Sequence, residues 1–294
     1  MDKDLRLLPF LVTAAAIGLF SLMDALMKGA SMAIGAYSAL CLRSLIGTLI
    51  MLPVWHFSGH GLSGAAALRI HVLRACVGCA MALLFFHGLT ILPLAEAIAL
   101  SFVAPLLALY MAALLLKERI ARRAVGASLL GLAGITIITL ARLDRSSFDP
   151  DSVKGIVAVL GSAGLYAWNL VLQRQIAQLA PPQEVALAQH GLSGLILLAF
   201  APWYLVMPQP AMLGWIAAAA VLATISLMAL AWAYARAEAQ VLVPVEYSGF
   251  LWAILFGWLF FAERASMPTL AGAALIVLGC WIAAPRTRPE ESLL

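Results

Sequence analysis

Apolar runs too long for a soluble fold to hide recur along the whole chain. In order they cover approximately residues 7–27, 34–55, 70–89, 94–116, 124–141, 153–176, 185–206, 212–234, 241–261 and 269–284. Each is close to the roughly 20 residues that a helix needs to cross about 30 Å of hydrocarbon. None shows the alternating polarity of a barrel strand. Hydrophobic residues make up 64% of the 294 and charged residues 11%, with a mean hydropathy of +1.01, so there is too little polar surface to cover a soluble domain. The sequence therefore predicts an all-α integral membrane protein with ten transmembrane helices.

Turn residues punctuate the short connections: Gly59 and Gly61, Pro93, Pro150, Pro181-Pro182, Pro208 and Pro210, and Pro268. Only residues 142–152, with Asp144, Ser146, Ser147, Asp149, Pro150 and Asp151, have the composition of a hydrated joint. The chain on either side of that joint is one unit written twice. LYMAALLLKER, ending at Arg119, is echoed by LFGWLFFAER, ending at Arg264, and the two continue into VGASLLGLAG and AGAALIVLG. Gly18-Leu19-Phe20 stands opposite Gly164-Leu165-Tyr166, and Lys28 opposite Arg174, at a constant offset of about 145 residues. A period this long marks a duplicated half and not a solenoid repeat. The expected repeats are residues 1–145 and 146–294, with five spans each. An odd span count turns the second copy upside down in the membrane relative to the first.

Charge sets the orientation. With the N-terminus in the cytoplasm, that side carries Lys3, Arg6, Arg69, Arg74, Lys117, Arg119, Arg122, Arg123, Arg174, Arg236, Arg286 and Arg288, against Lys28, Arg142, Arg145, Lys154 and Arg264 opposite. Twelve against five places both termini inside the cell inner (plasma) membrane. The same bias accounts for the net charge of +4 without a nucleic-acid partner. The apolar start leads directly to Asp24 and Lys28 and reads as a first span, not a cleaved signal. Cys41, Cys76, Cys79 and Cys280 all fall within spans, and the Cys76/Cys79 pair has no neighbouring ligands, so no metal or cofactor is expected. No G-x-x-x-x-G-K-[ST], H-E-x-x-H or G-x-S-x-G occurs, and no enzyme activity is expected.

Ten spans in two inverted copies, Pro105 ahead of Lys117-Glu118-Arg119, then Gly126 and Gly134, resemble the EamA-type exporters of the drug/metabolite transporter superfamily. Gln240-Val241-Leu242-Val243-Pro244-Val245-Glu246-Tyr247 and the form of the first span resemble its aromatic and hydrophobic amino-acid exporter branch. The chain departs from even symmetry, since the position matching Pro105 is Phe250. The resemblance implies that the first, third, fourth, sixth, eighth and ninth spans line a central cavity. Substrate-binding candidates on those spans are His87, Ser101, Trp168, Asn169, Trp232, Tyr234, Glu246 and Tyr247.

Each polar group inside a span has a structural alternative. Asp24 and Lys28 have the spacing of an i,i+4 pair. Glu96 stands within a turn of a helix N-terminus, which favours an acid. Arg43 is too deep to snorkel easily and suits a structural partner or a ligand. His87 and His190 suit packing as well as binding. Asn169 and Gln173, four apart, share a helix face that serves one ligand or one neighbouring helix. Pro244 frees a carbonyl beside Glu246 and Tyr247, a break tolerated only against protein or a cavity.

Among function classes, a secondary transporter of small amphipathic metabolites, most simply amino acids, accounts for the inverted repeat and scattered central polar groups. An enzyme would need a compact acid, His or metal constellation, and a channel would need a continuous polar stripe. Expected partners are a small-molecule substrate and the lipid bilayer, with the protein a monomer or weak homo-oligomer. Proton antiport through Glu246 and simple facilitation both stay open as coupling modes.

Overall fold

The computed structural model describes residues 3–59, 61–104, 107, 110–111, 122–145, 150–234, 245 and 248–283. Among these residues the ordered elements are helices: α1 (Lys3–Phe57), α2 (Ala65–Ile91), α3 (Leu94–Ser101), α4 (Arg122–Arg145), α5 (Pro150–Ala177), α6 (Pro182–Leu198), α7 (Ala201–Tyr204), α8 (Pro210–Tyr234), α9 (Gly249–Phe261) and α10 (Met267–Ala283). Where the ten predicted runs fall on described residues, they are helix apart from short breaks. The segments Leu8–Phe57, Ala65–Ile91, Pro150–Gln173 and Pro210–Leu230 are each long and apolar enough to cross a bilayer. α3 ends in a turn at Phe102–Val103 and α9 begins after a turn at Ser248.

Several boundaries differ from the sequence expectation. The first two runs are two helical arms of α1, as expected, and they follow each other directly across a kink at Gly35 (φ 81°, ψ 150°), a conformation that needs a residue without a Cβ. The run 185–206 is broken between α6 and α7, because Pro202 cannot continue the hydrogen-bond ladder and its ring would meet the carbonyl four residues back. The hydrated joint at 142–152 is mostly helix. Arg142–Arg145 end α4 and Pro150–Ser152 open α5, and Ser152 is buried.

Packing runs across the duplication more than within it. The most extensive helix contacts pair α1 with α8, α4 with α10, α2 with α5 and α1 with α6; each joins a helix before residue 146 to one after it. The buried core draws Met23, Met27, Leu40, Leu89, Leu94 and Leu100 from the first half and Ile216 and Ile276 from the second. Large apolar residues such as Leu49, Leu129 and Leu251 face outward, where a bilayer supplies acyl chains in place of protein. Since lipid is as apolar as leucine, helix association depends on close approach. Glycine supplies it: a Cβ at Gly134 would stand 2.5 Å from the Gly272 carbonyl oxygen, and one at Gly272 would stand 2.6 Å from the Gly134 oxygen.

This reciprocal notch generates a prediction. Gly134→Ala or Gly272→Ala forces backbone apart and costs roughly 1–3 kcal/mol, so each lowers the thermal unfolding midpoint in detergent. Gly126→Ala, with open space around its Cβ position, serves as control and leaves the midpoint unchanged.

Candidate functional site

Polar contacts between the halves cluster at two ends of the bundle, with a few between them, such as Ser162 Oγ donating to the Met81 carbonyl at 2.9 Å. At one end, Pro93 separates α2 from α3 and leaves the Leu92 carbonyl and the Leu94 N–H outside any helix ladder. Lys28 Nζ donates to the Leu92 carbonyl at 2.7 Å and to Glu263 Oε1, and the Leu94 N–H donates to Glu263 Oε2 at 2.7 Å. The Lys28 ammonium also lies 5.1 Å from the centre of the Phe261 ring. Glu263 arrives there because α9 closes in a left-handed turn at Ala262 (φ 53°), with the Glu263 N–H donating to the Gly257 carbonyl at 3.1 Å. Lys28 is 4% exposed and Glu263 20%. Nearby, Thr269 Oγ1 donates to Glu96 Oε1 at 3.4 Å, joining α10 to the acidic first turn of α3.

The other end lies the length of α2 away, about 40 Å at 1.5 Å per residue. There the buried Glu184 carboxylate accepts from the Ser63 N–H at 3.1 Å and the Ser63 hydroxyl at 2.7 Å. His71 Nε2 lies 3.3 Å from Glu184 Oε1 without hydrogen-bond alignment. Arg74 Nη2 donates to Gln173 Oε1. Back on the Lys28 side, where α6 finishes and the second arm of α1 starts after Gly35, the Tyr37 hydroxyl donates to the Leu197 carbonyl, Ser38 Oγ donates to the Tyr204 carbonyl at 3.2 Å, and the Val206 N–H donates to Ser38 Oγ at 2.9 Å.

The residues predicted to bind substrate are dispersed. His87 is exposed and lines a shallow pocket of about 370 Å³ with Ser31, Met32, Gly35, Ala36 and Thr90; of the other candidates, Ser101, Trp168, Asn169 and Trp232 do not line it. Ser101 donates its hydroxyl to the Ala97 carbonyl of its own helix at 2.9 Å. Trp168 and Asn169 are half-buried on α5, Trp232 is half-buried on α8, and Asn169 Oδ1 is sealed from solvent without a hydrogen-bond partner. The Tyr234 side chain, Glu246 and Tyr247 lie outside the described residues. Gln173, paired with Asn169 by sequence, goes instead to Arg74. His190 is buried on α6 against Gly47 of α1.

Sequence reasoning missed the Lys28–Glu263 and Ser63–Glu184 contacts. An i,i+4 reading gives Lys28 only Asp24 as its acid, whereas Glu263 lies 235 positions away. The available signal was topological: in an inverted repeat the end of span one and the end of span nine fall on the same side.

The sequence profile of the EamA-like transporter family matches residues 7–140 and again 153–284. This chain belongs to that family. Family membership makes it a multi-pass membrane transporter with two repeats. The pseudopaline exporter CntI of Pseudomonas aeruginosa is 28% identical over 291 residues, covering 98% of this chain and 99% of the relative. The aromatic amino acid exporter YddG of Ancylobacter novellus is 33% identical over 121 residues, covering 40% of this chain and 42% of that protein. A solved crystal structure superposes with a TM-score of 0.63 at 25% identity, covering 95% of this chain and 97% of the other.

Two substitutions separate holding the EamA-like fold together from the candidate binding role. Glu263→Gln removes the charge facing buried Lys28 and costs about 3 kcal/mol of stability. Asn169→Leu removes no hydrogen bond and leaves stability intact while lowering transport, because a sealed carbonyl without a partner gives nothing to the fold. Thermal unfolding and uptake measured on the same reconstituted protein check both.

Proposed function

We propose that this EamA-like transporter exports amino acids, with large hydrophobic or aromatic side chains preferred, by alternating access through a cavity between repeats 1–145 and 146–294. The observation that carries alternating access is the fastening of both ends by polar contacts between the halves. Glu263 with Lys28 at one end, and Glu184 with Ser63 at the other, are contacts that open without dismantling an apolar core. With both termini in the cytoplasm of a cell whose inner (plasma) membrane holds the protein, the Lys28 end is external and the Glu184 end internal. Opening one end while the other stays closed is the motion that inverted repeats permit.

The amino-acid reading draws on the likeness to an aromatic amino acid exporter and on the candidate lining His87, Ser101, Trp168, Asn169, Trp232, Tyr234, Glu246 and Tyr247. Indole and phenol rings would pack against an apolar side chain while amide and carboxyl groups meet the polar end. A second reading has its own support: the likeness to a pseudopaline exporter extends over nearly the whole chain, which favours export of another metabolite in place of an amino acid.

Expression in a sensitive host separates the readings. Resistance to toxic aromatic amino-acid analogues, together with saturable, trans-stimulated counterflow of an aromatic amino acid in proteoliposomes, is the expected result. Unchanged sensitivity across aromatic, aliphatic and polar analogues would remove the amino-acid reading. Flux without saturation or trans-stimulation would remove the carrier.

A further inference from the structure

Two opposite charges inside the bundle lack an ion-pair partner among the described residues. Asp24 and Arg43 lie on the two arms of α1, eleven residues before and eight after the break at Gly35. These offsets put them roughly 16 Å and 12 Å along their arms from the same break. Arg43 Nη1 is 3.5 Å from Met23 Sδ, so the arms lie side by side at this depth.

Arg43 finds no oxygen acceptor among the described residues. Its Nε is sealed from solvent without a partner, Nη1 meets only the Met23 sulfur, and the guanidinium carbon lies 5.5 Å from the centre of the Phe86 ring. The other buried cations differ: Lys28 has Glu263 and the Leu92 carbonyl, and Arg74 has Gln173. Asp24 is 7% exposed and makes no hydrogen bond or ion pair among the described residues, although it lies in the field of Arg43. One turn beyond Arg43, the His190 ring stands against Gly47 with Nε2 sealed and without a partner.

Ionisable groups at this depth are expensive and are kept where they meet each other, a cavity or a ligand. Asp24 and Arg43 are neighbours that do not close into an ion pair, which is the arrangement a bridging molecule with both charges would complete. A guanidinium presents a fork of donors matched to a carboxylate, and a carboxylate is the natural partner for an ammonium. Met23 and Phe86 supply apolar surface beside them. We propose that Asp24 and Arg43 are the receptor for the zwitterionic head of an amino acid, with Arg43 taking the carboxylate and Asp24 the ammonium. His190 is within reach as an additional polar contact. This assignment rests on the amino-acid reading above and names the part of the ligand that is held.

The test uses full-length protein in lipid nanodiscs and three probes: free phenylalanine, phenylalaninamide, which lacks the carboxylate, and 3-phenylpropionate, which lacks the ammonium. Wild type is expected to bind phenylalanine at least about tenfold more tightly than either analogue. Arg43→Gln should erase the preference over phenylalaninamide, and Asp24→Asn the preference over 3-phenylpropionate. The double variant Asp24→Asn/Arg43→Gln removes both buried charges together, which avoids stranding either one, and should bind all three probes alike while keeping its unfolding midpoint. Wild type that binds the three probes equally would overturn the assignment without any variant. So would a folded double variant that keeps the preference for phenylalanine. Wild type that binds none of the probes would overturn the amino-acid reading itself, and this assignment with it.

Discussion

A bilayer core offers no hydrogen-bond partner, so every interruption of a helix inside it must be answered by another part of the protein. In this chain most of the answers come from the opposite half, with Lys28 meeting Leu92 inside its own. The Leu92 carbonyl and Leu94 N–H, freed where Pro93 divides α2 from α3, are met by Lys28 and Glu263. The Leu197 carbonyl, near the end of α6, is met by Tyr37, and the Tyr204 carbonyl and Val206 N–H are met by Ser38. Ser63, just ahead of α2, is met by Glu184. Backbone satisfaction and the coupling of the two repeats are thus largely the same set of contacts.

Many of the ties sit at the ends, with mostly apolar packing and a few side-chain hydrogen bonds such as Ser162 to the Met81 carbonyl between them. Glycine notches bring α4 against α10 and let dispersion act at short range, but they carry no directional bond. The directional contacts at the Lys28 end and the Glu184 end are separated by the length of a helix. A transporter that opens one end at a time needs contacts of this kind, strong when made and exchangeable when water enters.

Much of the fold was legible because the bilayer imposes it. The described parts of the apolar runs are mostly helix, and the odd number per copy set the inversion. The errors fell where polarity was taken for loop. Residues 142–145 and 150–152 are polar because these helices extend beyond the hydrocarbon, and the exposed Lys154–Asp151 pair at 2.7 Å is a helix-surface contact. The site was less legible. Spacing along one helix finds Asn169 beside Gln173, yet Gln173 turns to Arg74 on α2, a contact that only the tertiary packing reveals. Arg43 drew notice by its depth, but its want of an oxygen acceptor depends on which neighbours face it. Glu246 and Tyr247, the strongest local signal beside Pro244, lie outside the described residues.

The central claim is that the halves are fastened by exchangeable polar contacts at the ends, so the Lys28 end opens and closes during transport. Met32 and Met267, 58% and 79% exposed at that end, accept spin labels as cysteines in a background freed of Cys41, Cys76, Cys79 and Cys280. Pulsed dipolar distances in nanodiscs should show two populations whose ratio shifts when an exported amino acid is added. A single distance, unchanged by substrate in a labelled protein that still transports, would contradict the account.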